Sequence, residues 1–139
     1  SGFPGMKVIQ FAFDSREESD YLPHNYEKNC VVYTGTHDND TLCGWYKVLD
    51  PDDLKLSQKY MNNANTPKRQ IHWDFIRLAL ASVADLCIIP LQDYLGLGSE
   101  ARINTPSTLG NNWRWRMTQG CLTKELADQI RELTTLYGR

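Results

Sequence analysis

Four residues suited to a buried strand, Cys30-Val31-Val32-Tyr33, break at Thr34-Gly35 and run into Thr36-His37-Asp38-Asn39-Asp40. So many adjacent polar groups are poor material for a core. In α/β folds the carboxyl end of a strand is where ligands and chemistry sit. The pattern recurs from Asp85, where Leu86-Cys87-Ile88-Ile89-Pro90 forms a continuous apolar run. It ends in Leu91-Gln92-Asp93-Tyr94. Two strands tipped in this way fit parallel βα units whose tips point in one direction.

The rest of the chain fills in around them. Residues 6–13 (MKVIQFAF) read as a first strand with apolar groups on both faces, as in a sheet covered on each side. Residues 14–29 show little periodicity, with at most a helical turn over 16–21, and 22–26 read as a loop. This stretch is short and polar for a parallel crossover, which normally contains a full helix. After the second strand, Asp40 is a candidate N-cap for a helix over 41–49, weakened by Gly44. Asp50-Pro51 starts another helix reaching about Asn62. Thr66-Pro67 repeats that start for a third, with Phe75, Ile76, Ala79, Leu80 and Val83 at helical spacing. Residues 95–119 have no repeat and several helix breakers, and a long irregular segment of this kind is usually functional. Thr123 caps a last helix, with Leu126, Ile130, Leu133 and Tyr137 on one face and Gly138 at its end.

Composition narrows the class. The 139 residues suffice for one domain with a core, and 41% hydrophobic with 23% charged residues argues against disorder. A net charge of −2 without a basic stripe makes nucleic acid an unsuitable partner. No apolar run approaches the roughly eighteen residues of a membrane span. The cysteines (Cys30, Cys43, Cys87, Cys121) form no C-x-x-C pair, and Cys30 and Cys87 read as small apolar fillers. A reducing cytoplasm fits them best. Ser1-Gly2-Phe3 resembles neither a natural start nor a signal peptide, so a piece of a longer chain is expected.

Several readings compete at the strand tips. Beside a histidine, a carboxylate such as Asp38 can stabilise developing positive charge or grip sugar hydroxyls, and neutral His37 can donate to a hydroxyl. Against this, Asp38, Asn39 and Asp40 are all capping candidates for the next helix, although one cap suffices. His-Asp-x-Asp also offers metal ligands, but the doublet follows a strand and neither His24 nor His72 has a clear relation to it, so no metal site is expected. Trp113 and Trp115 in NNWRWR could form aromatic platforms; a packed segment with snorkelled Arg114 and Arg116 is the favoured reading. His72 and Trp73 read as structural, and His24 is undecided. For Asn104, ahead of Thr105-Pro106, a turn role and a ligand contact are both open.

Taken together, GFPGMKVIQFAF, LPHNY, VVYTGTHDNDT with GWY, IIPLQDYLGLGSEARINTP and NNWRWR resemble the amylomaltase or disproportionating-enzyme family, the 4-α-glucanotransferases. The likeness runs from Gly2 through Arg116. It implies an α/β fold of the α-amylase-like clan: residues 1–139 as the C-terminal portion of a (βα)8 TIM barrel, with three parallel strands plus helices. A complete barrel takes about 250 residues, so three strands leave it incomplete. It implies transfer of an α-1,4-glucan segment between maltooligosaccharides with retention, and no cofactor. The resemblance assigns Asp38 as the third catalytic carboxylate, with His37 and Asn104 contacting the glucan. The family's nucleophile and acid/base lie upstream of the Gly-Phe-Pro-Gly turn, so neither is present here. The fragment alone is expected to be inactive, with the N-terminal half of the barrel as its missing partner. An α-amylase-type hydrolase and a non-catalytic glucan-binding or complementing fragment are the alternatives.

Overall fold

Residues 2–139 are described by a computed structural model. Three short parallel strands form its centre: β1 (Gly5–Val8), β2 (Cys30–Tyr33) and β3 (Leu86–Ile88), in that order across the sheet. In register, Lys7 faces Val32 and Val32 faces Cys87. All three strands therefore end at the same edge, and their polar continuations converge there.

Around the sheet lie α1 (Leu42–Lys47), α2 (Pro51–Met61), α3 (Ile71–Ala81), α4 (Leu91–Tyr94) and α5 (Lys124–Leu136). Ile71, Phe75, Ile76, Ala79 and Leu80 of α3 are buried with Cys30 and Val32 of β2. Burying each of the larger side chains contributes roughly 1.5–3 kcal/mol. Phe75 is also ringed by aromatics, its centroid 5.7 Å from Phe13, 5.1 Å from Trp45 and 5.7 Å from Tyr46. Thr123 caps α5 by accepting the Leu126 N–H at 3.1 Å, and Leu126, Ile130, Leu133 and Tyr137 join the core from it. Arg139 then donates to the carbonyls of Leu80, Ser82 and Ala84, fastening this end to the α3–β3 connection.

The structure corrects several sequence expectations. The first strand stops at Val8, and Ile9–Phe11 form a 3-10 turn closed by the Ala12 N–H on the Ile9 carbonyl. The crossover to β2 contains no full helix, in keeping with its short polar sequence. Residues 16–21 are turns and bends, and a second 3-10 turn spans Pro23–Asn25. Phe13, Leu22 and Tyr26 supply its core contacts. Thr66 does not cap α3; its hydroxyl accepts from Asn63, and a 3-10 turn over Lys68–Gln70 leads in. Val83 is exposed because α3 ends at Ala81, where the Ser82 hydroxyl bonds the Ala79 carbonyl. Nor is the sheet covered on both faces among the described residues. The helices pack on the Cys30 and Val32 face, while Met6, Leu86 (52% exposed) and Ile88 on the other are open.

Candidate functional site at the strand tips

The segment following β2 is shaped by its own side chains. Asn39 Oδ1 accepts from the Thr36 N–H at 2.8 Å and the Thr36 hydroxyl at 2.9 Å. The Asn39 N–H returns to the Thr36 carbonyl at 3.1 Å, closing a turn that leaves His37 and Asp38 projecting. From the 3-10 turn after β1, Gln10 Nε2 donates to the Asp40 carbonyl at 2.8 Å. Gly35 permits that approach, since a Cβ there would come within 2.6 Å of Gln10 Nε2.

Three carboxylates gather at this edge, and two are committed to structure. Asp40 accepts the Thr41 N–H at 2.8 Å and the Ser99 hydroxyl at 2.7 Å. It is not the cap of α1, as expected from sequence. Thr41 does that, accepting the Gly44 N–H at 3.1 Å. Asp93 is 2% exposed and accepts the Thr34 hydroxyl at 2.7 Å and the Leu42 N–H at 2.8 Å. Burial pushes its carboxyl up to about 6, against the pull of those two donors.

Asp38 is the remaining one, its side chain 48% exposed. Asn104 Nδ2 donates to Asp38 Oδ1 at 2.8 Å, and His37 Nε2 lies 3.3 Å from Oδ2. The Asn104 N–H also donates to the His37 carbonyl at 3.1 Å. A carboxylate with one oxygen hydrogen-bonded and the other beside an imidazole is held in place yet keeps lone pairs facing solvent. It can accept hydroxyls or oppose a developing positive charge. The fold thus brings Asp38, His37 and Asn104 together.

Two further residues serve this arrangement. Arg102 donates to the Asp38 carbonyl at 2.7 Å through Nη2 and to the Asn104 carbonyl at 2.9 Å through Nε. It joins the two loops through backbone acceptors, which no side-chain motif announces. Trp113 is 60% exposed, not packed away as favoured from sequence. Its ring centroid lies 5.2 Å from that of His37, and its backbone N–H donates to the Ile103 carbonyl at 2.7 Å. The alternation of Trp and Arg carried no hint of a partner so far away in sequence.

The other histidines lie elsewhere in the network. His24 pairs with Glu18 at 2.9 Å and with the Tyr60 hydroxyl at 3.0 Å, tying the crossover to α2. His72 is buried, and burial lowers its basicity. Among the described residues no cluster of three metal-ligating side chains occurs.

Comparison with known proteins decides the family. The family model described as 4-alpha-glucanotransferase matches residues 1–123. The chain belongs to the 4-alpha-glucanotransferase family. The Clostridium butyricum 4-alpha-glucanotransferase is 51% identical over 140 residues, covering 100% of this chain and 28% of that protein. The Thermus thermophilus 4-alpha-glucanotransferase is 44% identical over 143 residues, 99% of this chain and 29% of its own. The amylomaltase from Streptococcus agalactiae in complex with acarbose superposes with a TM-score of 0.92 at 38% identity, covering 99% of this chain and 28% of that one. The chain therefore spans less than a third of the length of these relatives.

Proposed function

We propose that this chain supplies the C-terminal part of a (βα)8 barrel in a retaining 4-α-glucanotransferase, acting on maltooligosaccharides or α-1,4-glucan. The observation that carries the reading is that Asp38 alone among the three strand-tip carboxylates stays open, with Asn104 hydrogen-bonded to one oxygen and His37 3.3 Å from the other. In this role Asp38 accepts hydroxyls of the glucose at the cleavage point and stabilises its oxocarbenium-like state. His37 and Asn104 fix the carboxylate and meet the same sugar. Retention requires a nucleophile and an acid/base about 5 Å apart across the scissile bond. Asp40 and Asp93 are unsuited to that pair, being bound to Thr41, Ser99, Thr34 and Leu42. The pair comes from the rest of the barrel.

Transfer therefore needs more than these 139 residues. The open Met6–Leu86–Ile88 face and the two free sheet edges are where the remaining strands would close on it. Among the described residues no helix is long and apolar enough to cross a membrane. The four cysteines are unpaired, which suits a reducing cytoplasm. The test is to incubate the chain with maltotriose. It should release no glucose by itself. Grafted in place of the matched segment of the Clostridium butyricum relative, it should support formation of glucose and longer maltooligosaccharides. Transfer by the isolated chain, or a folded but inert graft, would overturn the proposal.

A further inference from the structure

We infer that Asp93 is a positioning residue for the Asp38 site, acting as a clamp on both ends of the segment that presents it. The inference rests on the function proposed for Asp38.

The segment from Thr34 to Leu42 leaves β2, makes the Thr36–Asn39 turn and enters α1. Asp93, in the short helix α4 after β3, takes one donor from each end of it. The Thr34 hydroxyl reaches Oδ2 at 2.7 Å and the Leu42 N–H reaches Oδ1 at 2.8 Å. Thr34 and Leu42 are fully buried, and Asp93 nearly so. Water therefore does not replace either bond cheaply, and a lost partner leaves a buried donor unpaired. A buried carboxylate is a costly way to hold two neutral donors when a neutral acceptor could hold either one. What the two oxygens add is a fixed spacing between the start and the finish of one excursion.

That spacing matters because the middle of the excursion is half open. His37 and Asp38 are held there by Asn104 and Arg102 from the loop that follows α4. Gln92, next to Asp93, donates to the Ala101 carbonyl at 3.2 Å, anchoring that same loop. The α4 turn thus fixes the Asp38 segment through Asp93 and the Asn104 loop through Gln92. The Asp38–Asn104 contact inherits its geometry from both.

The experiment uses the graft in the Clostridium butyricum enzyme for activity and the chain itself for exchange. Asp93→Asn keeps size but leaves only one acceptor oxygen, turning an NH2 on the other donor. Thr34→Val removes one donor, and Thr34→Ser retains it. Expected is a fall in kcat for maltotriose of tenfold or more in Asp93→Asn, with KM changed less than threefold. Thr34→Val should fall in the same direction and Thr34→Ser should recover most of the rate. Hydrogen exchange in peptides covering 34–42 should quicken at least tenfold in Asp93→Asn, with α2 and α5 unchanged. Unchanged exchange at 34–42, or a folded Asp93→Asn graft with parental kcat, overturns the inference. An inert parent graft sinks the functional reading instead, and the exchange result still decides the clamp.

Discussion

Asn104 Nδ2 and Asp38 Oδ1 lie 2.8 Å apart although 66 positions separate the two residues. The bond joins the loop after β2 to the loop after β3, and through it Asn104 donates to a half-exposed carboxylate. A hydrogen bond to a charged group contributes about 1.5–3 kcal/mol. Asn104→Ala in the graft should therefore slow maltotriose transfer roughly 10- to 100-fold. Asn104→Asp should be worse, since it sets a second negative charge against Asp38. Initial-rate measurements on both variants check this order.

Phe75 sits at the centre of the aromatic cluster formed with Phe13, Trp45 and Tyr46. It is fully buried, so Phe75→Ala should cost about 3–5 kcal/mol of stability. Phe75→Leu should cost much less. Urea unfolding of the chain reads both.

Gly44 looks like a weak point in α1, and from propensity alone Gly44→Ala would stabilise the helix by about 0.5–1 kcal/mol. The structure reverses the sign. A Cβ at Gly44 would run into the Ser99 hydroxyl and both carboxylate oxygens of Asp40, which are bonded to each other across it. Gly44→Ala should lower the melting temperature, and Gly44→Ala with Ser99→Ala should recover part of the loss.

Asp93 gives a pH signature. Its carboxyl rises from 3.8 to about 6 on folding, chiefly through burial. Between those values the folded state holds a proton that the unfolded state has released. Asp93 therefore favours folding most at low pH and loses that contribution as pH rises through about 6. Two units correspond to about 3 kcal/mol. Asp93→Asn lacks this slope, so its stability relative to wild type should improve between about pH 4 and pH 7, by up to that amount. Parallel unfolding curves at the two pH values measure it.

Much of this was readable in advance because it depends on local chemistry. Apolar runs ending in polar tips located β2 and β3. Asp50-Pro51 and Thr123 announced α2 and α5, and both side chains do cap. Misreadings arose where a distant partner decided the outcome. Asp40 looked like the better cap, but Ser99 shares its carboxylate and Thr41 takes the task. β1 ends early in a 3-10 turn, from which Gln10 braces the distant Asp40 carbonyl. The Trp-Arg alternation around Trp113 suggests packing, yet Trp113 stands exposed beside His37. Arg102 acts through carbonyl acceptors, which have no sequence signature. Asp93 could be suspected from its place at a strand tip, but its burial and its two donors emerge only from the fold.

The role of Asp38 is best tested by Asp38→Asn in the graft with the Clostridium butyricum enzyme, measured as glucose released from maltotriose. Asparagine keeps the shape and the Asn104 contact but removes the negative charge. Loss of such electrostatic stabilisation costs on the order of 100- to 1000-fold in rate. The account predicts a loss of that size, with the variant as stable as its parent. A rate within threefold of the parent would show that the Asp38 charge does not serve the reaction.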